Sequence, residues 1–127
     1  MTTIVALGCG LVGEFVVQRL VDDGHSVVAV DLHLPDSIKN NTQIKSIEGD
    51  AKEYIESLNG DEIIINMLPG RIGHGIREHL IIGGHNIVDL AFTAEDPQQF
   101  DELAKHHGST MIWDIGIAPG LSNMLLA

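Results

Sequence analysis

Apolar runs of strand length alternate with helix-like patterns along the chain. The strand-like runs are apolar at consecutive positions, which indicates strands covered on both faces, as in a parallel sheet. Six runs are predicted as strands, over residues 4–7, 27–31, 43–47, 62–67, 86–90 and 110–115.

Between these runs, apolar residues recur at the spacing of a helix face. Two of the patterns end at Gly24 and at Gly83-Gly84, where glycine readily forms the left-handed cap of a helix. Residues 51–58 are predicted as a short helix, and Asp96-Pro97 as an N-cap followed by proline at the first helical position. Only residues 31–43 are predicted mostly as loop. The spaced apolar residues are Val12, Phe15, Val16 and Leu20, then Ile72, Ile76 and Leu80, then Phe100, Leu103 and Ala104.

This alternation of strands and helices predicts the architecture. Right-handed crossovers wind such a chain into a doubly wound α/β fold of the Rossmann type, with a parallel sheet of about six strands in the order 3-2-1-4-5-6. The length of 127 residues fits one domain over residues 1–127. Residues 24–28 (GHSVV) also resemble residues 84–88 (GHNIV). This similarity reflects either a duplicated mononucleotide-binding half or the same conformational requirement at two helix-to-strand loops.

The turn after the first strand has the sequence GCGLVG, with glycine at positions 8, 10 and 13. It follows a strand directly and opens an amphipathic helix, the context required of a dinucleotide-binding turn. Gly8 is expected to allow the tight turn, Gly10 to let a pyrophosphate approach the backbone, and Gly13 to permit close packing of helix on strand. The N–H groups of Leu11 and Val12 are then expected to face the phosphates, at the positive end of the helix dipole.

Asp31 ends the second strand, eighteen residues after Gly13 and near the spacing expected for a ribose-binding acid. Its carboxylate can accept hydrogen bonds from both hydroxyls of the adenosine ribose, whereas a 2′-phosphate would meet its negative charge. No Arg or Lys stands at positions 32–34 to offset that repulsion. NAD is therefore predicted as the cofactor, with NADP disfavoured.

Two further strand ends supply candidate cofactor contacts. Asp50 and Ala51 follow the third strand, where a short polar side chain can reach the adenine edge, although Asp50 is equally well placed as an N-cap. Leu68, Pro69 and Gly70 follow the fourth strand, at the switch point of the sheet. Gly70 would let the backbone lie close to the nicotinamide ribose. An ordinary turn also explains these three residues.

Composition and charge disfavour several other functions. The chain has 18 acidic and 7 basic residues and a formal net charge of −11, which disfavours nucleic acid and anionic membranes as partners. No apolar run reaches the length of a membrane span and the N-terminus lacks a signal peptide's basic region, so a cytoplasmic protein is expected. No histidine pattern or set of thiolates suggests a metal site. The single cysteine, Cys9, is either a thiol activated by the helix N-terminus or a small residue that the turn tolerates.

Residues 114–126 leave the sixth strand and begin a helix in which Leu121, Met124, Leu125 and Leu126 are poorly covered. The chain is therefore expected to be the front portion of a longer protein. This segment and three earlier motifs resemble the saccharopine dehydrogenase family, especially its lysine dehydrogenase-like members. The motifs are GCGLVG at 8–13, NMLPG at 66–70, NIVDL at 86–90 and GIAPGLSN at 116–123.

The resemblance implies a pyridine-nucleotide-dependent oxidoreductase acting on the C–N bond of an amino acid, whose substrate binds a further domain after residue 127. The isolated chain is then expected to be inactive, and a homo-oligomer is one expected assembly. Asp89 would face nicotinamide or the substrate amine, or serve as a structural carboxylate, and no catalytic acid or base is identified. Two other functions fit the same turn: a nucleotide-sensing regulatory domain of the kind attached to potassium transporters, and a polyamine-forming synthase of related fold.

Overall fold

Six parallel strands make up the central sheet of the fold. The computed structural model describes residues 2–115 and 121–126. The strands are β1 (Thr3–Leu7), β2 (Ser26–Asp31), β3 (Ile44–Glu48), β4 (Ile63–Asn66), β5 (Asn86–Asp89) and β6 (Thr110–Ile112). Their order is β3-β2-β1-β4-β5-β6, which confirms the predicted doubly wound α/β fold. All carboxyl ends therefore share one edge of the sheet.

Helices fill the connections between the strands. They are α1 (Leu11–Asp22), α2 (Asp36–Lys39), α3 (Ala51–Glu56), α4 (Gly70–Ile82), α5 (Asp101–His107) and α6 (Leu121–Leu126), with a 3-10 turn over Pro97–Phe100 before α5. Asp96 caps the 3-10 turn by accepting the N–H of Gln98, as the Asp-Pro pair predicts. Within residues 2–115 and 121–126, none of the helices is long and apolar enough to cross a membrane.

Helix α2 forms where the sequence predicts mostly loop, so that prediction is wrong at residues 36–39. A single helical turn is too short to produce a periodic pattern that the sequence could reveal. Tertiary burial stabilises it instead, because Ile38 is fully buried and its carbonyl accepts a hydrogen bond from the Ser46 hydroxyl.

Strand β6 ends at Ile112, three residues before the predicted end. Asp114 has a φ of 54°, a left-handed conformation that cannot continue an extended strand. The Ala-Pro-Gly part of the motif at 116–123 lies outside the described residues. Beyond it, Leu121, Met124, Leu125 and Leu126 are 50–87% exposed, consistent with the poor coverage expected from the sequence.

Two apolar cores lie on opposite faces of the sheet. Successive side chains of a strand point to opposite faces, so Val5 and Leu7 pack with α3 and α4 while Ala6 packs with α1 and α2. The buried face of α1 differs from the predicted one, because it consists of Gly13, Val17 and Val21. Val12 and Phe15 are instead 63% and 71% exposed. Gly13 has no side chain, so the helix approaches the sheet along this face.

The two similar segments, residues 24–28 (GHSVV) and 84–88 (GHNIV), begin in helix-to-strand loops with the same hydrogen bond. The N–H of His25 donates to the carbonyl of Leu20, and sixty residues later the N–H of His85 donates to the carbonyl of Leu80. The correspondence extends into the sheet, where equivalent register pairs join Ala6 to Ala29 and Asn66 to Asp89. We call β1-α1-β2 the first unit and β4-α4-β5 the second unit. The helix-to-strand loop and this register pair correspond at the sixty-residue offset.

Candidate functional site

A cavity of about 590 Å³ opens at the carboxyl edge of the sheet, beside the ends of β1 and β4 where the strand order reverses. Doubly wound sheets bind ligands in this crevice, and ligand cavities commonly measure about 300–1,000 Å³. The wall combines strand ends with one face of α4. Its residues are Gly8, Gly10, Asp31, Leu32, Gly49, Asp50, Ala51, Lys52, Met67, Leu68, Pro69, Ile72, Gly75, Ile76 and His79.

The cavity brings together most of the residues predicted to contact a cofactor. Those that line it are Gly8, Gly10, Asp31, Asp50, Ala51, Leu68 and Pro69. Those outside its lining are Leu11, Val12, Gly13, Gly70 and Asp89. For Leu11 and Val12 the predicted contact is a backbone N–H, which does not require the side chain to line the cavity.

The three glycines of the first turn have three different environments. Gly8 has a φ of +93°, and a Cβ there would lie 2.8 Å from the Met67 carbonyl oxygen, so neither backbone nor space admits a side chain. A Cβ at Gly13 would overlap the carbonyl oxygen of Gly8. A Cβ at Gly10 would meet nothing within 4 Å. Gly10 therefore leaves open space at the turn, as a pyrophosphate cradle requires.

Helix α1 begins at this turn with a free N-terminal end. Its first intrahelical bond joins the Glu14 N–H to the Gly10 carbonyl at 2.8 Å. The N–H groups of Leu11 and Val12 precede this bond and lie outside the helical ladder. Such N–H groups, together with the helix dipole, favour an anion.

Asp31 connects the end of β2 to the glycine turn. Its Oδ2 accepts the Cys9 N–H at 2.7 Å and its Oδ1 accepts the Leu32 N–H at 2.7 Å. Each carboxylate oxygen can accept two hydrogen bonds, so both keep acceptor capacity toward the cavity. The backbone bonds fix the carboxylate beside the glycine turn, where it lines the cavity.

Of the two interpretations of Cys9, the structure supports a small, unreactive residue at the turn rather than an activated thiol. Its side chain is 4% exposed and packs in the core beneath α1. Burial, with smaller effects from the Asp31 and Glu14 carboxylates, raises the pKa of the thiol to about 12. The thiol therefore stays protonated at neutral pH and is not an activated nucleophile.

Asp50 acts as the N-cap of α3. Its Oδ1 accepts the N–H groups of Lys52 at 2.9 Å and of Glu53 at 3.2 Å. The side chain is exposed and lines the cavity as well, so the capping role leaves its second oxygen available to a ligand. Both interpretations of Asp50 are therefore compatible with its position.

Gly70 is constrained by the protein itself. A Cβ at this position would lie 2.5 Å from the carbonyl oxygen of Phe92, in the loop that follows β5. The absence of a side chain therefore admits this loop, whereas the sequence suggested an approach of the nicotinamide ribose. Leu68 and Pro69, just before it, face the cavity.

Asp89 has the contacts of a structural carboxylate, which is one of its two predicted roles. The side chain is 1% exposed, and Arg77 forms a bidentate ion pair with it at 2.9 and 3.0 Å. Asn66 Nδ2 and the Ala91 N–H also donate to it, both at 3.0 Å. These bonds occupy both oxygens inside the protein, outside the cavity.

Two sets of residues near the site were missed by the sequence reasoning. The helical spacing predicts Ile72 and Ile76 on one core face, but Ile72 is 57% exposed and lines the cavity with Gly75 and His79. Arg77 was not singled out at all. The sequence feature that could have revealed it is the similarity of residues 24–28 and 84–88. At this sixty-residue offset, Arg77 aligns with the buried Val17. Among residues 2–115 and 121–126, no group of three or more His, Cys, Asp or Glu is placed to hold a metal ion.

The sheet order, the glycine turn and the cavity at the switch point define a Rossmann-like α/β fold. No protein-family model matches the sequence. Among solved structures, apo saccharopine dehydrogenase (L-glutamate-forming) from Saccharomyces cerevisiae is similar over 99% of this chain and 30% of its own, with a TM-score of 0.81 and 18% identity.

Two other dehydrogenases share the fold with lower TM-scores. The 3-hydroxyisobutyrate dehydrogenase of Mycobacterium tuberculosis, solved with L-serine, has a TM-score of 0.60 and 22% identity over 87% of this chain and 39% of its own. Galactitol-1-phosphate dehydrogenase of Escherichia coli has a TM-score of 0.58 and 14% identity over 87% of this chain and 36% of its own. This chain thus spans 30–39% of the length of these dehydrogenases.

Proposed function

We propose that this chain is the NAD-binding domain of an oxidoreductase. The observation that carries the proposal is the open space at Gly10, which faces the cavity beside the fixed carboxylate of Asp31. A pyrophosphate at Gly10 would receive the N–H groups of Leu11 and Val12, and the adenosine ribose would reach Asp31. When bound, the cofactor would supply hydride transfer, while the chain supplies position and electrostatics.

The acids around Asp31 support NAD over NADP, and the cavity wall also carries the basic residue Lys52. Glu48 on β3 is the register partner of Asp31, so two carboxylates end neighbouring strands. The amino group of Lys39 lies 3.6 Å from Glu48 and 3.8 Å from Asp36, where it is shared between two acids. A 2′-phosphate would add a further negative group to this edge.

In its fuller form, the proposal is that this chain belongs to a longer oxidoreductase of amino-acid metabolism. It is supported by the family-like motifs at residues 8–13, 66–70 and 86–90 and by the fold shared with the yeast saccharopine dehydrogenase. In this proposal the reaction occurs at a C–N bond, and the amino-acid substrate binds a domain outside residues 1–127. The isolated chain then binds nucleotide without oxidising lysine or saccharopine.

Calorimetric titration with NAD and NADP at pH 8 tests the cofactor assignment. We expect at least ~50-fold tighter binding of NAD, a difference of about 2.3 kcal/mol, because NADP loses the ribose bonds to Asp31 and gains charge repulsion. Asp31→Ala should remove most of this preference. The control Asp61→Asn removes one exposed charge before β4, at the opposite edge of the sheet, and should leave the preference intact. Equal affinity, or tighter NADP binding, would contradict the proposal.

A further inference from the structure

The second unit buries polar residues where the first unit buries apolar ones. At the sixty-residue offset, Asn66, Arg77 and Asp89 take the places of Ala6, Val17 and Ala29, and all six residues are at most 1% exposed. Burying a charge pair offers little net stability compared with apolar residues of similar volume. A stability argument alone therefore does not explain why this unit has an ion pair in its interior.

The guanidinium of Arg77 uses its full set of donors within the protein. Its Nε and Nη2 donate to Asp89, Nη2 also donates to the Ala91 carbonyl at 3.1 Å, and Nη1 donates to the Thr93 hydroxyl at 2.7 Å. The remaining Nη1 contact is with Nδ1 of His74 at 3.4 Å. Because a guanidinium has five N–H groups, these contacts leave none for a ligand.

The bonds of this cluster join four segments of the chain. Asn66, at the end of β4, donates to the Gly73 carbonyl in the first turn of α4 and to Asp89 at the end of β5, both at 3.0 Å. Arg77 then ties β5 to the loop at residues 91–93. Buried polar networks with satisfied partners specify one arrangement of the segments that they join.

The loop held by Arg77 covers the turn between β4 and α4, at Gly70. The Phe92 carbonyl lies where a Cβ of Gly70 would point, 2.5 Å from that position, whereas the equivalent space at Gly10 is open. Pro69, adjacent to Gly70, lines the cavity. The Arg77 cluster therefore fixes the wall at the β4 side of the switch point, opposite the adenosine side at Asp31.

We infer that Arg77 is a positioning residue for the nicotinamide half of the cofactor, acting through Asp89 and the 91–93 loop without touching the ligand. This inference rests on the proposed function, which puts the pyrophosphate at Gly10 and hence the nicotinamide beyond β4. Arg77 should then control affinity for the nicotinamide half and leave the adenosine half unchanged.

The test compares NADH with ADP, which contains only the adenosine side and two phosphates. In the variant Arg77→Met/Asp89→Asn, both charges are removed together, so that neither is left buried without its partner. We expect NADH to bind at least ~10-fold more weakly, about 1.4 kcal/mol, and the fluorescence change of bound NADH to diminish. ADP affinity should change by less than ~2-fold, about 0.4 kcal/mol.

Two further variants keep the test decisive. Arg71→Met removes an exposed arginine from the same helix and should leave both affinities unchanged. If the double variant melts below the assay temperature, Arg77→Lys retains the charge but lacks the forked donors that reach Asp89, Ala91 and Thr93 together. It should show the same selective loss of NADH. Equal weakening of ADP and NADH, or no weakening, would overturn the inference alone. A wild-type chain that binds neither nucleotide would overturn the proposed function and the inference with it.

Discussion

The two βαβ units differ most in the surroundings of the carboxylate at the end of their second strand. In the first unit the strand-end carboxylate, Asp31, is half-exposed at the cavity and accepts two backbone N–H groups. In the second unit the carboxylate, Asp89, is buried against Arg77. One unit therefore places its acid at the cavity, and the other neutralises its acid internally.

Their glycine turns differ in the same sense. The space beside Gly10 is open, whereas the space beside Gly70 is filled by the Phe92 carbonyl. A carbonyl oxygen, which is a neutral acceptor, therefore lies close to the N-terminus of α4, whereas no protein atom fills the matching space at α1. The comparison teaches that one backbone geometry can either leave the space beside its turn open or fill it with the chain's own backbone.

The largest expected difference between the units concerns their carboxylates. Asp89→Asn leaves the buried Arg77 without a counter-charge and should lower the free energy of unfolding by about 3–5 kcal/mol. Asp31→Asn should lower it by about 1 kcal/mol, since a partly exposed acceptor is only weakened. Urea denaturation of both variants measures the contrast. Similar losses in the two variants would show that the Arg77–Asp89 pair is not the special feature of the second unit.

Valine substitutions at the two equivalent glycines should give smaller effects. One should weaken NAD binding, and the other should lower the stability of the fold. Gly10→Val should weaken NAD binding at least ~30-fold, about 2 kcal/mol, with the melting temperature nearly unchanged because the side chain enters open space. Gly70→Val should instead destabilise the fold by about 1–3 kcal/mol through overlap with the Phe92 carbonyl. Calorimetry and thermal melting of the two variants separate these outcomes. Unchanged NAD affinity in Gly10→Val would exclude the first turn as the nucleotide site.

The smallest expected difference is in the pH dependence conferred by the two loop histidines. His85 is 2% exposed and its Nδ1 has no hydrogen-bond partner among the described residues, whereas His25 is exposed. Burial lowers the pKa of His85 below its ordinary 6.5, although the Glu62 carboxylate acts in the opposite direction. Well above pH 6.5, His85 is neutral in both the folded and the unfolded chain. As the pH falls through 6.5, the unfolded chain takes up a proton that the folded chain does not, so stability declines.

Urea denaturation between pH 7.5 and pH 5, a range of about one pH unit or more on either side of the ordinary histidine pKa, measures this slope. His85→Leu should flatten it, while the matched control His25→Leu should leave it as in the wild-type chain. A slope that is unchanged in His85→Leu would assign the pH dependence to other groups.

Much of this architecture follows from the sequence, because the signals involved are local or periodic. Consecutive apolar residues indicate buried parallel strands, and the spacing of Gly8, Gly10 and Gly13 relative to Asp31 places a turn and an acid within one βαβ unit. The strand order predicted from this alternation is the observed one. The limits of elements were less well predicted, since α2 is stabilised by the burial of Ile38 and β6 ends before the left-handed backbone at Asp114.

Only the tertiary structure decided how equivalent residues differ between the units. The GH motif is the same in both loops, yet His25 is exposed and His85 is buried. The sequence likewise left Asp89 with two interpretations, because its partner Arg77 stands twelve residues away on another element. Local patterns determine the strands and the longer helices, and which residues stand at the strand ends. Burial and long-range pairing, which depend on the packed neighbours, determine whether such an atom faces a ligand or another part of the same chain.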